Sequence, residues 1–184
     1  MRKYFFVLLS GFVLAVIAVM TVTPGSWSHY RLMTRQFNYE GETAEVLASL
    51  RLFSATYASF YMTGGSTDGL NTFPAEQMVK RRIFMDISNY MAQGTILVTD
   101  RDDTRLREIS FLTPTRAVTV TDEDWYFLYR DAKTRRSLST RKFNPLTVRY
   151  YLKKEWGKWI VLDYDVFDQG ETLPPAPVEK IVRW

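Results

Sequence analysis

Few side chains in this sequence are equipped for catalysis or metal binding. Its 184 residues include no cysteine and one histidine, His29. Metal sites draw on Cys, His and carboxylates, and a nucleophilic triad needs a histidine beside its Ser or Cys, so neither can be built around His29. Two acidic runs remain. Asp100-Arg101-Asp102-Asp103 alternates carboxylates but lacks the glycine and distal glutamate of a calcium loop, and is expected to be a solvated turn. Asp122-Glu123-Asp124 reads the same way. Acid–base chemistry would use a carboxylate or tyrosine held in an apolar pocket. The candidates are Asp86, Tyr57, Tyr90 and Asp163. Each has a plainer account, because tyrosines on helical stripes fill cores and aspartates at element edges face water. The sequence therefore predicts no enzyme, no metal and no cofactor.

Surfaces for binding are better supplied. Between Arg130 and Lys142 lie Arg130, Lys133, Arg135, Arg136, Arg141 and Lys142 against Asp131 alone. Such a cluster suits anionic lipid headgroups or an acidic partner, the plain alternative being a solvated loop. It lacks the interleaved aromatics of a single-strand-binding groove, so nucleic acid is not an expected partner. Asn144-Pro145 reads as a turn, since Asn tolerates the left-handed region and Pro fixes φ. Residues 169–184 form a tail of different character, in which Pro174, Pro175 and Pro177 favour an extended polyproline II path. That path suits docking on an aromatic groove or a disordered end. The terminal Ile181-Val182-Arg183-Trp184 favours docking, with Trp184 as its apolar end.

All of this is carried behind an apolar stretch. Tyr4–Thr23 is twenty residues without a charge, about 30 Å of helix and the thickness of a bilayer's hydrocarbon core. A cleaved secretory signal expects an apolar core of about 7–15 residues and a small-x-small site; Ala15-x-Ile17 and Ala18-x-Met20 break that rule. The stretch is read as an uncleaved span. Arg2 and Lys3 at its start, against the neutral Pro24–Ser28, place the N-terminus in the cytoplasm and the C-terminal domain outside. The domain plan is a cytoplasmic start at 1–3, a span at 4–23, a linker at 24–39, a soluble domain at 40–168 and the tail at 169–184. Aromatic content of 15% and hydrophobic content of 46% supply a real core, and the net charge of +4 demands no polyanionic partner.

Helices precede strands in the soluble domain. Leu47, Leu50, Ser54, Tyr57 and Tyr61 recur at helical spacing from Glu40 to about Tyr61, and Gly64-Gly65 stops them. A second helix is expected from Pro74, with Val79, Ile83, Ile87, Tyr90 and Met91 on one face and Gly94 closing it. The period then changes to two. Ile96–Thr99, Arg105–Leu112, Thr115–Thr121 and Trp125–Arg130 read as short strands separated by the acidic turns. Val148, Tyr150 and Leu152 and, across a turn at Glu155–Lys158, Ile160, Leu162, Tyr164 and Val166 predict a long hairpin with one buried face. The sum is an α+β domain of two or three helices on a curved antiparallel sheet of about four strands. Its expected core includes Leu50, Tyr57, Ile83, Ile87, Val148, Leu152, Ile160 and Leu162.

A long first helix, a short second one and the closing Val-x-Tyr-x-Leu … Gly-Lys-Trp-Ile-Val hairpin resemble the nuclear transport factor two-like (cystatin-like) cone. With a span in front, the arrangement resembles the VirB-eight/TraE-type inner-membrane scaffold family of type IV secretion and conjugation systems. Asn144-Pro145-Leu146-Thr147 matches the first two positions of that family's Asn-Pro-x-Gly motif and loses its glycine. The resemblance implies a bacterial inner-membrane, single-pass, non-catalytic scaffold with its domain in the periplasm. It also implies self-association as a homo-oligomer and binding to other membrane-complex subunits, with Asn144-Pro145 as a partner surface. The alternatives are an accessory or ligand-binding envelope protein of another membrane complex and, more remotely, a small acid–base enzyme in the cone pocket.

Overall fold

The computed structural model describes residues 37–66, 69, 72–177 and 180. The apolar stretch Tyr4–Thr23 and the terminal residue Trp184 lie outside them. Among the described residues no helix is long and apolar enough to cross a membrane. The chain divides into Met1–Tyr39 and Glu40–Trp184, and the fold below is that of the second unit.

Helix α1 spans Tyr39–Thr63 and buries Val46, Leu50, Phe53, Ser54, Ala58, Phe60 and Tyr61. Gly64 and Gly65, both at positive φ, end it. Gly65 N–H reaches back to the Phe60 carbonyl, the return bond of a left-handed C-terminal cap. Helix α2 spans Gln77–Ala92 and buries Val79, Ile83 and Ile87. It starts three residues later than the sequence suggests. Pro74 and Ala75 lie instead along the sheet edge, where Val161 N–H donates to the Pro74 carbonyl and Glu76 N–H to the Val161 carbonyl. Proline cannot donate, so an edge position where only its carbonyl is used suits it as well as a first helical turn. Met91, expected on the buried face, is exposed.

The four strands β1 (Thr95–Thr113), β2 (Arg116–Asp131), β3 (Lys142–Glu155) and β4 (Lys158–Asp168) form one antiparallel sheet in the order β1-β2-β3-β4. The expected acidic turns are not turns. Asp100–Asp103 and Asp122–Asp124 lie within β1 and β2, so four expected short strands merge into two long ones. Part of their charge is answered across the ladder, where Arg105 pairs with Asp124 and Arg107 with Asp122, and Arg105 also pairs with Asp103 along β1. Cross-strand ion pairs let a charged stretch stay extended. Three register shifts interrupt β1, the sheet's outer edge, and irregularity with mixed charge discourages edge-to-edge pairing. Asn144-Pro145 is likewise strand, opposite Trp125 and Asp124. Pairing of β3 with β4 begins only at Leu146, so Pro145 sits where the sheet has a single neighbour, a place that tolerates a missing donor.

The β3–β4 hairpin closes as expected, on Trp156 and Gly157, both at positive φ as a type I′ turn requires. Its buried face departs from strict alternation. Tyr151 pairs with Asp163 but Leu152 with Val161, leaving Leu162 as an extra residue on β4. That bulge flips the phase. Trp159 and Val161 enter the core beside Val148, Tyr150 and Leu152, and Tyr164 packs against it, whereas Ile160 is half-buried and outside it. Leu162 is buried on the other face, beside Val118, Tyr151 and Lys180. That outer face is covered too: Arg149 donates to the Pro174 carbonyl and Lys180 pairs with Asp163 and Asp165. The described part of the proline-rich tail thus lies against the protein's own sheet.

Both helices pack on the inner face. Phe53 centres the core, with ring centroids 4.8 Å from Phe73 and 5.8 Å from both Tyr150 and Tyr164. The start of α1 is tied to the hairpin end by Lys154, which reaches Glu42 at 2.8 Å and Glu45 at 2.7 Å, and by Trp159 Nε1, which donates to Glu42 at 2.9 Å.

Candidate functional site: an aromatic groove over a buried glutamate

On the inner face the helices and the sheet enclose a cavity of about 270 Å³. Helix α1 contributes Phe53 and Tyr57, and α2 contributes Tyr90. From the sheet come Leu97 and Thr99 of β1; Glu123, Trp125, Phe127 and Tyr129 of β2; Asn144, Leu146, Val148 and Tyr150 of β3; and Tyr164 and Val166 of β4. Strand periodicity explains the lining. Thr119, Thr121, Glu123, Trp125, Phe127 and Tyr129 alternate along β2, so one parity of one strand delivers a carboxylate and three rings to the same face.

Glu123 is the floor of this groove and is fully buried. Four donors converge on its two oxygens: Thr121 Oγ1 at 2.8 Å, Trp125 Nε1 at 2.7 Å, Tyr150 Oη at 3.0 Å and Arg101 Nη1 at 3.4 Å. An ionised carboxylate only accepts, and a buried one must be paired and hydrogen-bonded, which this cluster achieves. Arg101 approaches from outside the lining and also lies 5.9 Å from the Trp125 ring. Burial, with the Glu123 charge adding to it, pushes the Tyr150 hydroxyl well above the ordinary tyrosine range. Burial does the same to Tyr57, helped by Tyr164, Tyr61 and Asp86. Tyr57 donates to Tyr61 at 3.3 Å, which donates to Asp86 at 3.4 Å. These hydroxyls stay protonated at neutral pH and act as donors; none is poised as a base.

The acid–base quartet suggested by the sequence is only partly assembled. Tyr57 and Tyr90 line the groove, Asp86 is exposed at the outer end of the tyrosine relay, and Asp163 is held elsewhere by Arg82 at 3.2 Å and Lys180 at 2.8 Å. Of the expected partner residues that are described, Asn144 alone enters the groove. Arg135, Arg136, Arg141 and Lys142 are exposed in or beside the β2–β3 loop, and Pro145 is in β3 behind Asn144. Arg141 lies 4.0 Å over the Tyr126 ring and 3.5 Å from Asp100. Pro174 and Pro175 are exposed on the outer face, while Pro177 is half-buried. The residue sequence reasoning missed is Glu123. Its signal was present, because the alternation from Thr119 to Trp125 runs unbroken through the acidic run.

Two helices on one face of a four-stranded antiparallel meander, with an aromatic groove between them, define the class of domain. No protein-family model matches the chain, and no curated protein sequence does. Among solved structures the chain is similar to the intermembrane-space region of the chloroplast protein ARC6, with a TM-score of 0.58 and 11% sequence identity. The match covers 70% of this chain and 96% of that one. At that identity the likeness is one of fold.

Proposed function

We propose that this protein is a membrane-anchored, non-catalytic assembly subunit of a multiprotein bacterial envelope complex. In this reading Tyr4–Thr23 is the inner-membrane span, the N-terminus is cytoplasmic and residues 40–168 are periplasmic. The observation that carries it is the β2–β3 loop, an exposed cationic surface built to a defined shape. Asp131 Oδ1 accepts from Lys133 N at 3.0 Å, Thr134 N at 2.7 Å and Thr134 Oγ1 at 2.9 Å, and Leu138 N and the Ser139 hydroxyl tie the loop back to Tyr129. Arg135 takes φ +60 at its bend. Arg135 and Arg136 are exposed, as are Leu138 and Phe143 beside them.

A preorganised, positively charged surface loses little entropy on binding, and a tether raises the effective concentration of partners in the membrane plane. The loop also lies at the end of the sheet away from the start of α1, about 40 Å of β3 separating it from the hairpin turn. The partners are other subunits or further copies of this chain, through acidic surfaces. The finer assignment, a type IV secretion or conjugation scaffold, rests on the sequence pattern of a span ahead of an α+β domain with that closing hairpin. The groove favours a second reading, an accessory envelope protein that binds a ligand.

The test uses the full-length chain, extracted in mild detergent, crosslinked and weighed. Reversing Arg135 and Arg136 to glutamate should reduce co-purified partner at least tenfold with an unchanged circular-dichroism melt. Deleting Pro174–Trp184 is a poorer variant, because it uncovers Arg149. A full-length protein that extracts as a lone monomer under every mild condition refutes the assembly reading.

A further inference from the structure

We infer that the inner groove is a binding site for an organic cation, a protonated amine or quaternary ammonium group, seated among the aromatic rings above Glu123. The inference stands apart from the assembly reading, since it concerns the inner face and not the β2–β3 loop. Three features carry it. The cavity, about 270 Å³, is large enough for a small molecule or headgroup fragment and is open to solvent at its mouth. Rings reach it from both helices and from the sheet: Tyr57 from α1, Tyr90 from α2, Trp125 and Tyr129 from β2, Tyr164 from β4. Electron-rich rings attract cations, and several converging rings form the cage that recognises ammonium groups. The third feature is charge. Glu123 is the one carboxylate among the lining residues, and among the described residues no lysine, arginine or histidine lines the cavity.

An anion would meet a carboxylate and ring faces of the same sign. A neutral apolar ligand would gain burial but leave the carboxylate's field unused. Arg101, which is not among the lining residues, pairs with Glu123 at 3.4 Å and helps hold the carboxylate in place. Asn144, half-buried in the lining, offers an amide carbonyl or N–H to whatever polar group accompanies the cation.

Choline, its neutral isostere 3,3-dimethylbutan-1-ol and the anion 3,3-dimethylbutanoate separate these possibilities, because the three share a tert-butyl-like head. The full chain in a maltoside detergent would be titrated with each by calorimetry. Choline should bind saturably and at least tenfold more tightly than the alcohol, and the carboxylate should not bind. Tyr90→Leu and Trp125→Leu, on a helix and a strand, should each weaken choline about tenfold, while Trp156→Phe, at a fully exposed turn residue, should leave it unchanged. Tyr90 is only half-buried, so its variant keeps the test valid where Trp125→Leu lowers the melt. Reversal of Arg135 and Arg136 should not alter the choline titration. Equal binding of alcohol and choline, tighter binding of the carboxylate, binding unaffected by both groove variants, or no saturable choline binding at millimolar concentration overturns the inference.

Discussion

Truncating Glu123 to alanine should destabilise the domain by about 3–5 kcal/mol, the range for removing one partner from a buried, hydrogen-bonded charge pair. The structure shows where that comes from. Tyr150 and Thr121 are almost wholly buried, and the Trp125 indole N–H faces the same carboxylate. Each donor left without an acceptor in the dry interior costs about 1–3 kcal/mol, and Arg101 would lose its carboxylate as well. Water entering from the groove would satisfy some of them, which holds the total inside that range. Tyr150→Phe alone, which removes one donor and leaves Glu123 three others, should cost about 1 kcal/mol. In the Glu123→Ala background the same change deletes an orphaned hydroxyl and should be neutral or stabilising. Urea titration of the four variants, followed by near-ultraviolet circular dichroism, closes a double-mutant cycle. A loss below about 1 kcal/mol for Glu123→Ala, or strict additivity with Tyr150→Phe, would show that the cluster is not the coupled unit its geometry describes.

The β4 bulge makes a second contrast: Val161→Ala, at a residue with no exposed surface, should cost about 2 kcal/mol, whereas Ile160→Ala should cost under about 1 kcal/mol. Equal losses in the same urea experiment would mean the strand's phase is uninterrupted. The third prediction is acid sensitivity. The Lys153 ammonium, with the Gln77 N–H, holds the Glu76 carboxyl below its usual range, burial opposing it. A folded-state pKa below the unfolded one gives stability that is present above about pH 4.5 and lost as pH falls through the folded value. Glu76→Gln should therefore flatten the decline in melting temperature between neutral pH and pH 3; an unchanged profile would remove Glu76 from that account.

Helix positions were legible in the sequence because a core-facing helix writes its own period. Leu50 and Tyr57 on α1 and Ile83 and Ile87 on α2 fall on the faces that periodicity assigns them. The turn at Glu155–Lys158 was legible for the same local reason, and the structure closes it as a type I′ turn on Trp156-Gly157. Strand continuity through the acidic runs was not. Asp100–Asp103 and Asp122–Asp124 carry the composition of turns, and it is the pairing of β1 with β2, which sets Arg101, Arg105 and Arg107 against Glu123, Asp124 and Asp122, that keeps them as strand. Glu123 shows the difference most sharply. Its parity along β2 marks it as inward-facing, but a carboxylate facing inward is stable only if donors meet it. Thr121 and Trp125 come from its own strand, while Tyr150 and Arg101 come from the strands on either side. The bulge at Leu162 is a property of the β3–β4 pair, so Ile160 and Val161 exchange faces for a reason neither strand contains alone. Local pattern determined the elements of this protein and the helix faces. Which charges are buried, and which residues share the groove, were decided by contacts between segments distant in sequence, because pairing across strands and not position along them sets the cost of burying a polar group.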